Sequence, residues 1–362
     1  MSDFLKPTPA RYHGQIIDAH LHLRPAETMR TFLEVAEAYG VRSYVGIGDL
    51  EALASCRKAL PGRVTGVLRL NWDDLGDPQC FKERTLAELS RAVAREDVRG
   101  VKFWFTPEFH ARTGLWFDDA QLDFLFDFIV ERRLVALVHV GDPDAWFERH
   151  YTDAARYGTK AENLAQLERR MRRHPGLVVQ AAHLGGDPEH LDRLARVLDE
   201  FPNLHLDLSA TKWLARELSR KPDEARPFVI AHSARLLWGS DLVVARRPDM
   251  TADDYATRYY VHRHLWEGRG WLPSPIPDAD AEVEHGQPSA DHATRTIPDE
   301  DAGLQHDQAD SRRVNLRAPP GGGAQNHPPC TNVMVAGLDL PTEVQEKIYC
   351  RNAAQLYGLR PV

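Results

Sequence analysis

Asp18-Ala19-His20-Leu21-His22 directly follows Gln15-Ile16-Ile17 near the start of the chain. On a strand, residues two apart point to the same face, so His20 and His22 can hold one metal ion together. The stretch therefore suggests a fold and a chemistry at once. Its weight depends on whether later segments place further ligands at equivalent positions.

Moving outward from this pair, strand-like and helix-like segments alternate with regular spacing. The pattern predicts strands over Ile16–Leu23, Val41–Ile47, Val64–Leu70, Val98–Phe105, Leu134–Val140, Leu177–His183, Leu204–Leu208 and Leu236–Leu242. Helical segments separate them, the first over Ala26–Tyr39 with Gly40 as its stop. Runs such as Leu134-Val135-Ala136-Leu137-Val138 are apolar on both faces, as buried parallel strands are. Eight βα units in series predict an α/β chain folded as a (β/α)8 TIM barrel. An open doubly wound sheet would carry a glycine-rich phosphate turn after its first strand; here that position reads His20-Leu21-His22-Leu23-Arg24-Pro25.

The barrel accounts for residues 1–272. Residues 273–336 differ in kind: Pro273 to Val335 holds no aromatic residue, and Pro319-Pro320-Gly321-Gly322-Gly323 lies within it. Such a segment buries too little apolar surface to offset its ordering entropy, so it is expected to be a disordered insert. Residues 337–362 are expected to form a closing helix from Pro341 through Tyr357 that packs back on the barrel.

Apolar residues make up 43% of the 362, charged residues 27%, and the formal net charge is −8, the profile of a soluble globular protein. The absence of a basic stripe argues against a nucleic-acid partner. No apolar run is long enough to span a membrane, and Met1 to Gly14 has no apolar leader core. The four cysteines, Cys56, Cys80, Cys330 and Cys350, form no CxxC pair and read as reduced thiols of a cytoplasmic protein. Any metal is then held by imidazole and carboxylate.

Polar groups recur where the predicted strands end, at the end of a barrel that carries active sites. Lys102 lies on the fourth strand, His139 ends the fifth, His183 the sixth, and Trp238-Gly239-Ser240-Asp241 falls in the eighth. Burying a neutral polar group without a partner costs roughly 2–7 kcal/mol, and a charge costs more. One metal ion at the rim explains all of these placements together.

In Ile17-Asp18-Ala19-His20-Leu21-His22, Val138-His139-Val140-Gly141, Ala182-His183-Leu184-Gly185-Gly186 and Gly239-Ser240-Asp241 the chain resembles the amidohydrolase superfamily, in its amidohydrolase-related branch. Gly337-Leu338-Asp339-Leu340-Pro341 through Asn352-Ala353-Ala354 is similar to that family's closing helix. The branch holds metal-dependent hydrolases and non-oxidative decarboxylases. The resemblance implies a divalent metal, zinc by expectation, held by His20, His22, His139 and Asp241. It also implies catalytic roles for Asp241, as proton acceptor and donor, and for His183, which hydrogen-bonds the water or polarises the substrate carbonyl. Asp18, ahead of the pair, reads as structural rather than as a ligand. The family allows a homodimer.

Lys102 has two readings within the family: carboxylated and bridging two metals, or unmodified and binding a substrate carboxylate or an ion-pair partner. Trp104 shares its face and could line the pocket, although aromatic packing is the plainer role. Arg216 could bind an anionic substrate or sit on a solvated helix face, and Asp207 with Lys212 could form a simple ion pair. Histidines 285, 292, 306 and 327 of the insert are assigned to no site. The leading functional expectation is a hydrolase in which activated water attacks an ester, lactone or amide carbonyl of a small molecule. The alternatives are decarboxylation of an aromatic or unsaturated acid at the same site and, behind both, a non-catalytic ligand-binding barrel.

Overall fold

In the computed structural model the described residues are 4, 10–94, 98–278, 280 and 333–359. The expected insert lies mostly outside them, with Cys330 and histidines 285, 292, 306 and 327. Among the described residues no helix is long and apolar enough to cross a membrane.

The predicted barrel is present. Strands β1 (Ile16–His22), β2 (Val41–Gly48), β3 (Val64–Arg69), β4 (Val98–Trp104), β5 (Val135–His139), β6 (Val178–Ala181) and β7 (Leu204–Asp207) pair in sequence order, all parallel. The expected eighth strand is two short pieces, β8 (Leu236–Leu237) beside β7 and β9 (Leu242–Val243) beside β1. The break has a local cause. A Cβ on Gly239 would lie 2.7 Å from the His20 Cβ and 2.9 Å from the His20 nitrogen, so the chain passes β1 there at a distance only glycine allows. Asp241, two residues on, has φ +57°. The ring still closes: Ala19 N donates to Trp238 O (3.0 Å), Asp241 N to His20 O (2.8 Å) and Val244 N to His22 O (3.0 Å).

β1 also departs from strict alternation. Ile17 and Ala19 face the barrel lumen with Val45, Ile47, Val67, Val135, Leu137 and Leu237. A register irregularity between Asp18 and Leu21 then shifts the parity, so that His20 and His22 gather at the mouth while Leu21 joins the outer core. Asp18 is thereby turned away from the lumen, toward Ser240 and Tyr259.

The closing helix packs against the same lumen. It runs as Thr342–Glu346, a π-turn at Lys347–Arg351, and Asn352–Tyr357. Cys350, Ala353 and Tyr357 join the lumen cluster, and the Ile348 carbonyl, within the π-turn, accepts from Trp238 N (2.8 Å). Asn352 Nδ2 donates to the carbonyls of Ser233 and Leu236, both at 2.7 Å.

The edges of the expected insert are ordered. Strand β10 (Arg269–Pro273) pairs antiparallel with β11 (Met334–Leu338), which moves the return to regular structure ahead of the expected 337. The three described cysteines are free.

His262, from the helix Ala252–Glu267 outside the barrel, is fully buried beside Trp238 and Trp266. Burial, with the Arg258 charge adding, pulls its pKa from 6.5 down to about 3 against the opposing charges of Asp207 and Asp241. The unfolded chain therefore takes up this proton first as pH falls, and the stability His262 contributes above pH 6.5 is lost between 6.5 and 3. Urea unfolding at pH 7 and pH 4 should show a smaller loss of stability in His262→Asn than in the wild type; equal losses would contradict the assignment.

Candidate metal centre

The end of β1 and the turn after β8 bring three ligand atoms together. Asp241 Oδ1 lies 3.3 Å from His20 Nε2 and 3.3 Å from His22 Nε2, and all three atoms lie within 4.8 Å of one another. The two imidazoles are buried and the Asp241 side chain nearly so. His20 Nε2 makes no hydrogen bond among the described residues although it is shielded from water. A buried imidazole nitrogen aimed at a carboxylate oxygen and a second imidazole is a donor set suited to a divalent cation.

His20 is oriented by Asp207. Its Nδ1–H donates to Asp207 Oδ2 (2.9 Å), which leaves Nε2 with the lone pair. Asp207 is fully buried and also accepts from Gln180 Nε2 (2.8 Å), His183 N (2.8 Å), Ser209 N (3.2 Å) and Ser209 Oγ. Burial alone would raise its pKa. The charge and hydrogen bond of His20, with His183 and Ser209, outweigh that and hold the carboxyl well below the usual carboxylate range. The expected Asp207–Lys212 pair is therefore corrected: Asp207 points into the site, and Lys212 instead acts on Asp280. Gln180 Oε1 accepts from Tyr357 OH (2.7 Å), so a continuous hydrogen-bond chain links the closing helix to His20.

His183 sits at a left-handed kink, with φ +57° and Leu184 at +52°. The following Gly186 touches the Gly141 backbone, where a Cβ would lie 2.1 Å from the Gly141 oxygen. Left-handed non-glycine residues cost of order 1–3 kcal/mol each and persist where the surroundings fix them. Because Ser209 Oγ donates to Asp207, its lone pairs accept from His183 Nδ1–H at 2.8 Å. His183 Nε2 then presents a lone pair 3.8 Å from Asp241 Oδ2. Burial pulls the His183 pKa from 6.5 down to about 4; Asp241 opposes this and His139 and His20 reinforce it, so the ring is neutral at pH 7.

Asp18 holds the turn that carries Asp241. It accepts from Ser240 N (2.9 Å), Ser240 Oγ (2.5 Å) and His20 N (3.2 Å). Burial pushes its pKa up to about 7 against these hydrogen bonds, with the Asp241 charge adding to the rise.

His139 stands at the edge of the group rather than in it. Its Nε2 is bonded to Asp142 Oδ1 (3.0 Å), which Tyr151 OH also holds through Oδ2 (3.0 Å). Its ring centre lies 4.6 Å from that of His183, nearly perpendicular. Trp213 packs edge-on to both rings, with Trp146 beside it. Trp104 neighbours His139 in register and packs on Phe109, and Lys102 neighbours Leu137 one step below.

Arg216 is neither solvated nor open to a ligand as either reading had it. It is buried and paired with Glu217 Oε1 (2.6 Å) and Asp278 Oδ2 (2.5 Å). Asp280 beside it accepts from Trp146 Nε1 (3.2 Å), so the chain beyond β10 is tied to the aromatic wall of the site.

Comparison with known proteins gives the family. The amidohydrolase family model matches residues 17–359. The chain belongs to the amidohydrolase family. An amidohydrolase from Burkholderia multivorans, solved with bound zinc, is similar in fold, with 14% identity and a TM-score of 0.50 over 96% of this chain and 100% of that one. A 5-carboxyvanillate decarboxylase from Novosphingobium aromaticivorans, solved with manganese, is 14% identical with a TM-score of 0.43 over 72% and 96% of the two chains. A 4-oxalomesaconate hydratase from Rhodopseudomonas palustris gives 14% identity and a TM-score of 0.45 over 68% and 88%. No curated protein gives a significant match.

In this amidohydrolase the residues that the sequence did not single out are Asp142, Ser209 and Trp213, with Ser240 quoted only as part of the Gly239-Ser240-Asp241 motif and Asp207 read in another role. Ser209 follows the end of β7 by two positions and Ser240 the end of β8 by three, the one signal that would have found their roles. Asp207→Asn keeps the size of the side chain and removes the charge that orients His20. It should weaken zinc binding by about 10–100-fold in a competition titration; unchanged affinity would remove Asp207 from the account.

Proposed function

We propose that this amidohydrolase is a metal-dependent hydrolase that adds water to an ester, lactone or amide carbonyl of a small molecule. The observation that carries the reading is the convergence of His20, His22 and Asp241 on one point at the barrel mouth, with the neutral His183 beside the carboxylate. His20, His22 and Asp241 would hold the ion, with His139 as a fourth donor that must give up its bond to Asp142. Zinc suits this set of imidazoles and carboxylate. When bound, such an ion lowers the pKa of a coordinated water to about 7 and polarises a carbonyl.

The protein's own groups then divide the work. Asp241 takes the proton of the attacking water through Oδ2, the oxygen that faces His183, and returns it to the leaving group. His183 has committed its Nδ1–H to Ser209, so its Nε2 can accept a hydrogen bond from the water but cannot donate one to a carbonyl. Of the two roles open to His183 in the sequence, the hydrogen-bonding network supports the first. Trp213 and Trp146 shield this side of the site from solvent and offer flat apolar surface to the substrate.

Zinc-loaded protein screened against lactones, aryl esters and amides in ¹⁸O-labelled water should place one ¹⁸O in the product acid. Asp241→Asn should lower kcat by about 100-fold or more. Release of carbon dioxide from an aromatic or unsaturated acid, without ¹⁸O incorporation, would replace the hydrolase reading with decarboxylation.

A further inference from the structure

Lys102 is buried at 5% exposure, and its ammonium makes no hydrogen bond or ion pair among the described residues. Two residues on, Trp104 Nε1–H is buried and unpartnered as well. Both belong to one face of β4. Val101 and Phe103, between and beside them, lie in the outer core, and Trp104 also meets that cluster through Phe109, while Lys102 is in register with Leu137 of the lumen cluster. The alternation therefore aims Lys102 and Trp104 into the lumen, Lys102 below and Trp104 beside His139.

On the other side Lys102 is in register with Arg69, which alternation from the lumen residue Val67 also turns inward. Arg69 reaches Asp49 at 3.2 Å. Lys102 and Arg69 are thus paired in register on adjacent strands, and no ion pair joins Lys102 to the carboxylate that answers Arg69. An ammonium taken out of water without a counter-charge is among the costliest groups a fold can bury. The site would be relieved by a ligand that brings the anion.

We propose that Lys102 and the Trp104 indole form an anion subsite that binds a carboxylate of the substrate, so that the substrate of this enzyme is an organic acid. This rests on the hydrolase reading only for which other group of the molecule reacts. In an eight-stranded barrel β4 lies across the lumen from β8, so the subsite faces Asp241 from the opposite wall. A compact acid held by its carboxylate at Lys102 presents its far end to His20, His22 and Asp241. A carboxylate offers one oxygen to the ammonium and the other to the indole N–H, and Arg69 adds long-range attraction. Lys102 is then a specificity-determining residue.

The test uses benzoate as the probe and benzamide as its uncharged counterpart, titrated by NMR into the full chain with and without zinc. Benzoate should bind both forms in preference to benzamide, and Lys102→Met should weaken benzoate at least tenfold while leaving benzamide unchanged. Lys102→Met should also unfold at equal or higher temperature than the wild type, because it removes an uncompensated buried charge; a lower melting temperature would mark Lys102 as structural and overturn the proposal. Benzoate binding that requires zinc and ignores Lys102→Met would overturn it while leaving the metal centre standing. A ¹³C carbamate resonance from labelled bicarbonate, absent in Lys102→Met, would overturn it in favour of a modified lysine. Lys102-dependent binding in a chain that fails to take up zinc would uphold the subsite and count against the metal reading alone.

Discussion

The buried carboxylate of Asp207 is the constraint on which the site depends. It stands at the end of β7 and accepts hydrogen bonds from His20 on β1, Gln180 on β6, the His183 amide and Ser209. A charge this deep is tolerable only with its lone pairs filled, and each donor that fills one is thereby fixed in place. His20 presents Nε2 because Asp207 holds Nδ1. His183 presents Nε2 because Ser209, itself donating to Asp207, holds its Nδ1. Three strands are locked into mutual register by one side chain that touches no substrate.

The backbone is shaped to the same end. His183, Leu184, Ala210 and Asp241 all adopt left-handed conformations at or beside the mouth. Asp18 pins Ser240, and Gly239 lets the turn pass against β1, so Asp241 arrives beside His20 and His22 although the eighth strand breaks to allow it. At the other end of the lumen, Tyr357 extends the network through Gln180 to Asp207. The closing helix therefore acts as both a plug and a support of the site.

Much of this was legible in the sequence. The βα repeat showed the barrel because buried parallel strands are apolar on both faces, and His20, His22, His183 and Asp241 stood out as polar interruptions at their ends. What escaped depends on geometry that spacing does not carry. Asp207 and Lys212 read as a simple ion pair because sequence does not say which way the last residue of a strand points. The bulge in β1, which turns Asp18 outward and both histidines inward, arises from pairing with two neighbours at once. Arg216 met its partner Asp278 only through the long-range return of the chain beyond β10. The pairing of β10 with β11 joins segments some sixty residues apart, so composition alone placed the edges of the insert too wide.

The central claim is that His20, His22 and Asp241 converge to hold one divalent ion. Calorimetric titration of zinc into chelator-treated full-length protein measures it directly, with His20→Asn and His22→Asn as comparisons whose folding is checked by circular dichroism. The account predicts a single tight site in the wild type that is lost in both folded variants. Folded wild-type protein that takes up no zinc, or folded variants that bind it as tightly as the wild type, would contradict it.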